Sequence, residues 1–99
     1  MTIFEEARNH FKTTEEIVQF TLKAQVNKGL EANLRVVSIF WINQFGLSNK
    51  VAYFESWSDA EDCARTFAEN CIKANGSTVV FSVYIDGGLH LTQKDFNRG

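Results

Sequence analysis

Apolar residues along this chain switch between two spacings, and each switch marks a new element. Ala60, Cys63, Ala64, Phe67, Ala68, Cys71 and Ile72 recur at intervals of three and four, which predicts a helix with one buried stripe that ends at Asn75-Gly76. Upstream, Ile17, Phe20 and Ala24 form a second helical stripe with Val18, Leu22 and Val26 beside it. That helix should run over residues 15–28 and stop at Gly29, which tolerates a left-handed terminating conformation. Its broad apolar face predicts contacts on two sides. A shorter amphipathic stretch, with Phe4, Ala7 and Phe11 on one face, precedes it. Thr2-Ile3-Phe4-Glu5, Thr13-Thr14-Glu15-Glu16 and Ser58-Asp59-Ala60-Glu61 all match the capping box, so three helix starts are predicted.

Elsewhere the pattern is that of strands. Residues 34–42 and 51–57 are rich in β-branched and aromatic side chains, and a loop over residues 43–50 should join them. Residues 78–85 place Val79, Phe81, Val83 and Ile85 on one face, with Val80 and Tyr84 on the other. Asp86-Gly87-Gly88 supplies the positive-φ residues of a tight hairpin, after which residues 89–92 return as a fourth strand if they pair.

The expected architecture is one α+β domain over residues 1–99 with element order ααββαβ(β). It has a three- or four-stranded, mainly antiparallel sheet with helices packed on one face, and the polar tail from residue 93 frays. The other face would carry Val80, Tyr84 and one alternate set from the first strand, either Val37, Ile39 and Trp41 or Val36, Phe40 and Ile42. That is more apolar than a half-solvated sheet wants, so the first helix or a partner should cover it. A second copy is one such partner, giving a homodimer through the sheet face.

Composition narrows the chemistry. A 99-residue chain with nine Phe and two Trp can build one core without disulfides or a structural metal. A net charge of −2 argues against nucleic acid, because affinity for phosphates rests on Lys and Arg, and only Arg35 is basic on the predicted strands. No apolar run reaches the about 20 residues that span a bilayer, and the first residues lack a signal-peptide pattern. The expected compartment is the cytoplasm, with no membrane partner. Cys63 and Cys71 lie about two helical turns, roughly 12 Å, apart, beyond disulfide reach, and both should stay buried and reduced.

No motif for catalysis, metal binding or a cofactor stands out. His10 and His90 are the only histidines, and neither they nor the cysteines have the spacing that aims two ligands at one ion. Asp86-Gly87-Gly88 lacks the following helix and the Gly-Lys pair of a phosphate loop. Asn75-Gly76-Ser77 reads as a helix end followed by a turn. The remaining signals are aromatic and acidic. Phe45 sits mid-loop beside a glycine, and Trp41, Trp57 and Tyr84 reach the surface if the strands deliver aromatics to both faces. Glu55, Asp59, Glu61 and Asp62 cluster at a helix start, which the helix dipole explains and which would also suit a basic partner.

These observations imply a non-enzymatic binding protein that occupies a surface on a protein partner. Many inhibitors and accessory factors of phages and mobile elements share this size and acidity. The partner-binding residues expected are Phe45, Trp41, Trp57, Tyr84, Glu55, Asp59, Glu61 and Asp62. The alternative is a sensor or sponge for a small, nucleotide-like ligand held between sheet and helices; a nucleic-acid-binding module ranks below both.

Overall fold

The structure, a computed structural model, describes residues 13–96. The short helix expected around Phe4, Ala7, His10 and Phe11 lies outside the described residues, as do residues 97–99. The described elements run α1 (Thr14–Glu31), β1 (Arg35–Asn43), β2 (Gly46–Phe54), α2 (Trp57–Asn75), β3 (Val80–Ile85) and β4 (Gly88–Thr92), and a 3-10 turn over Gln93–Asp95 follows. The sheet has four strands in the order β2-β1-β3-β4, every neighbouring pair antiparallel. The α+β architecture expected from the sequence is what the chain adopts, and residues 89–92 do pair, as part of β4.

Local boundaries differ from expectation for identifiable reasons. Helix α1 starts as its capping residues predict, with Thr13 Oγ1 accepting the Glu16 N–H at 3.2 Å. It then runs through Gly29 and ends near Ala32, where Asn33 takes the left-handed conformation at φ 57°. Helix α2 is capped by Ser56, two residues ahead of Ser58, because Ser56 Oγ accepts the Asp59 N–H at 3.2 Å. The eight-residue loop expected between the first two strands shrinks to Gln44-Phe45. Asn43 Oδ1 accepts the Phe45 N–H at 2.8 Å, Gly46 turns at φ 109°, and β2 starts at once, with Gly46 opposite Asn43. The tail does not fray at residue 93. Thr92 and Asp95 cap the 3-10 turn reciprocally, Gln93 Oε1 accepts the Phe81 N–H at 3.3 Å, and the Phe96 ring lies 6.0 Å from that of Phe81.

The helices occupy opposite faces of the sheet, not one. On the first face Val37 and Ile39 of β1 and Phe81, Val83 and Ile85 of β3 meet α2 through Ala60, Ala64, Ala68 and Cys71. Three alanines on one stripe let the helix axis come close to the sheet, and Trp41, Phe54, Phe67 and Leu91 close the margins of this core. The second face carries Val36, Ser38, Phe40 and Ile42, one of the two alternate sets the sequence allowed. Helix α1 lies over its β1-β2 half with Thr21, Leu22, Gln25 and Gly29 buried.

Polar groups tie α1 down. Ser38 donates to Gln25 Oε1 at 2.8 Å, Gln25 Nε2 donates to Asn49 Oδ1 at 2.8 Å, and Asn49 Nδ2 donates to the Ile39 carbonyl at 3.0 Å. Every member of that chain has a partner, so it can sit at the helix-sheet seam without the penalty of an unsatisfied buried group.

Candidate interaction surface

The β1-β2 turn projects Phe45 into solvent, where 83% of its surface is exposed. The turn is held firmly from behind. Asn43 Nδ2 donates to Asn75 Oδ1 at 2.8 Å, and Asn75 Nδ2 donates to the Cys71 carbonyl at 3.0 Å, so the last turn of α2 is fastened to the hairpin. A ring presented on a braced turn loses little freedom when it is captured.

Beside the tip, β1 and β3 bring Ile42 and Val80 opposite one another, 43% and 51% exposed, and β2 places Leu47 on the other side of Ile42. Leu47, Ile42 and Val80 thus form an apolar row across three strands. That row floors an open groove of about 470 Å³ between α1 and the β3-β4 half of the second face, with Val18, Phe40 and Leu89 on its walls and Lys94 at its rim. A second cleft of about 350 Å³ lies under Phe45, between Asn43, Gln44, Asn75 and Val79. The tip therefore stands between two depressions, with Ile42 bordering both.

The other residues expected to bind a partner are scattered. Trp41 points to the α2 side, half-buried against the core, where it borders a cleft of about 190 Å³ with Ile39, Phe67 and Lys50; the Lys50 ammonium lies 5.2 Å from the Phe67 ring centre. Tyr84 is on the opposite face, edge-on to Phe40 at 5.9 Å. Trp57 opens α2, 46% exposed and edge-on to His90 at 6.4 Å. Glu55, Asp59, Glu61 and Asp62 are all exposed around it, and Glu61 and Asp62 border a small polar cleft with Arg65 and His90. Because α2 is 19 residues long and Asn75 touches the tip, this acidic end lies about 28 Å of helix away from Phe45. Phe45 and the Trp57-acidic group are thus two surfaces, with Trp41 and Tyr84 between them on opposite faces.

Ile42 and Val80 were expected on the apolar second face but not among the partner-binding residues, and Leu89 was expected only as part of the fourth strand. Each occupies an ordinary strand position, and only the β1-β3 register makes Ile42 and Val80 neighbours.

Burial raises the pKa of both thiols above the ordinary value; the Lys50 ammonium partly opposes this at Cys63, and a hydrogen bond from Asn75 does so at Cys71. The direction is opposite to that of an activated nucleophile. Cys71 is buried as expected, whereas Cys63 is half-buried, since it sits at the margin of the core below Lys50 and not on its central line. Both are free. Among the described residues no three His, Cys, Asp or Glu side chains converge as a metal site requires, and no helix is long and apolar enough to cross a membrane. In comparisons with known proteins, no family model, no curated protein and no solved structure matches the chain.

Proposed function

We propose that this chain is a non-enzymatic binding protein, an inhibitor or accessory factor that occupies a surface on a protein partner with its β1-β2 tip. The observation that carries this reading is Phe45, almost wholly exposed on a braced turn beside the exposed Ile42-Val80 pair. An aromatic anchor flanked by apolar side chains is the usual centre of an interface, and contiguous exposed apolar surface is uncommon without such a use. The acidic start of α2 would steer a basic partner and set orientation more than affinity. A net charge of −2 favours protein over nucleic acid as the partner, and the working compartment in this reading is the cytoplasm, where the two free thiols stay reduced.

The test is Phe45→Ser. Its melting temperature should stay within a few degrees of the parent, while capture of partner from a host lysate weakens at least tenfold, about 1.4 kcal/mol. Unchanged capture would remove the tip from the proposal and leave the Trp57-acidic surface to be probed by charge reversal in a salt titration.

A second reading, a small-ligand sensor, draws on the 470 Å³ groove, whose volume falls within the range of ligand pockets. Its lining supports a nucleotide-like ligand poorly, since Lys94 is the only cation among the described lining residues. A thermal-shift screen with nucleotides separates the two readings.

A further inference from the structure

We propose that the groove beside α1 is the seat of this chain's own N-terminal segment, residues 1–12, which lies across the β3-β4 half of the second face as a short amphipathic helix. The two faces of the sheet are covered unequally. On the first, α2 packs against β1 and β3 through its alanine stripe. On the second, α1 lies over the β1-β2 half, and the other half keeps Val80 and Leu89 51% and 63% exposed. A sheet face of that apolarity is stable when a further element lies on it.

The chain itself leads into this space. Thr14 and Val18, on the first turns of α1, line the groove. Thr13 before them is extended, at φ −102° and ψ 148°, so the chain turns off the α1 axis at the groove's own wall. Whatever precedes Thr13 therefore starts beside the uncovered strands.

The sequence of the segment suits that seat. Wound as a helix, Ile3, Phe4, Ala7 and Phe11 fall within one arc of about 100°, while Glu5, Glu6, Arg8, Asn9 and Lys12 lie outside it. Only Lys12 and Thr13 separate Phe11 from α1, a link of the length that joins packed antiparallel helices. The dimensions agree. Ten helical residues are about 15 Å long and a helix is about 10 Å wide, and the step from β1 across β3 to β4 is also about 10 Å. One such helix covers what α1 leaves bare.

The floor has a place for a ring. Phe40, Ser82 and Thr92 stand opposite one another across β1, β3 and β4, and the two small residues lie between Val80 on one side and Tyr84 with Leu89 on the other. Phe4 or Phe11 fills that dip. A helix seated there leaves Ile42 and Val80 at its margin beside the Phe45 tip, so the inference does not rest on the proposed partner surface.

The experiment is amide hydrogen exchange of the full chain at low micromolar concentration, read at residues 6–12 and, as an internal control of folding, in β1 and β3. Phe11→Ser alters the stripe, whereas Ser82→Lys and Leu89→Asp alter the seat. In the parent, residues 6–12 should exchange at least tenfold more slowly than in Phe11→Ser. Each seat variant should release the same amides at least tenfold while β1 and β3 stay protected, and Phe45→Ser should leave the slowing intact. Residues 6–12 exchanging at the rate of an unstructured peptide in the parent overturn the proposal. So does slowing that survives both seat variants, which would place the segment elsewhere, or slowing that vanishes on dilution, which would place it in the groove of a second copy.

Discussion

Asp86 and Val36 bind each other reciprocally: the Asp86 N–H donates to the Val36 carbonyl at 2.8 Å, and the Val36 N–H donates to Asp86 Oδ1 at 3.0 Å. The second carboxylate oxygen accepts from Arg35 Nη1 at 2.9 Å. Asp86 sits at φ 51°, a conformation aspartate tolerates, so one turn residue both shapes the β3-β4 hairpin and fastens it to the start of β1. Asp86→Ala should therefore cost about 1–3 kcal/mol, because it strands the part-buried Val36 N–H. Arg35→Ala should cost under about 1 kcal/mol, since that guanidinium is 52% exposed and its ion pair is screened. Urea midpoints decide it; equal losses would mean the ion pair, not the backbone bond, is what Asp86 supplies.

Gly29 is the second position where one residue type is required. In most helix interiors Gly→Ala stabilises by up to about 1 kcal/mol. Here a Cβ would collide with Val36 Cγ2 and crowd the Leu34 carbonyl, and Val36 is fully buried with no room to retreat. Gly29→Ala is expected to destabilise by about 1–3 kcal/mol. The double variant with Val36→Ala should lose less than the sum of the two single losses, because the smaller side chain removes the collision. Strict additivity would show that helix and strand are not in contact there.

Gly29 also shows where sequence reading stops. The three-and-four spacing located α2, β-branched and aromatic content located β1, alternation located β3, and Asp86-Gly87-Gly88 located the hairpin, since each is a local pattern with a local cause. Gly29 looks like a helix terminator in sequence, because its actual duty, close approach to Val36, depends on where β1 lies. Helix α1 hides its orientation for a related reason. Its buried side includes Thr21 and Gln25, and its polar contacts to Ser38 and Asn49 replace the apolar stripe that marks a buried face. The candidate surface divides the same way: Phe45 stands out as a loop aromatic, whereas the Ile42-Val80 pair exists only through strand register.

Thr21 offers a stabilising change. Its hydroxyl oxygen is fully buried and has no hydrogen-bond partner among the described residues. Thr21→Val keeps the branched shape and removes the desolvated hydroxyl, so stability should rise by about 1 kcal/mol. Thr21→Ser, which keeps the hydroxyl and removes a methyl, should lower it. A loss from the valine variant would show that the oxygen is hydrogen-bonded in solution.

The thiols predict the alkaline behaviour. Burial raises the folded pKa of both Cys63 and Cys71 above the ordinary 9.0, so the unfolded chain releases these protons at lower pH than the folded one. Their contribution is therefore intact below about pH 9 and is lost as pH rises through the folded values. Tyr53, raised by burial from 10.0, extends the loss to higher pH. Urea melts at about pH 7.5, 9 and 10.5 should show falling stability, and the Cys63→Ser, Cys71→Ala variant should fall less steeply. Thiol reactivity separates the two sites. Cys63 is half-buried and has the Lys50 ammonium nearby to favour its thiolate, so a maleimide should reach it first. Cys71, 7% exposed beneath the last turn of α2, should react only as fast as the chain opens. Equal rates at the two positions would mean that the end of α2 opens freely, and the bracing of the Phe45 tip through Asn75 and Asn43 would fall with it.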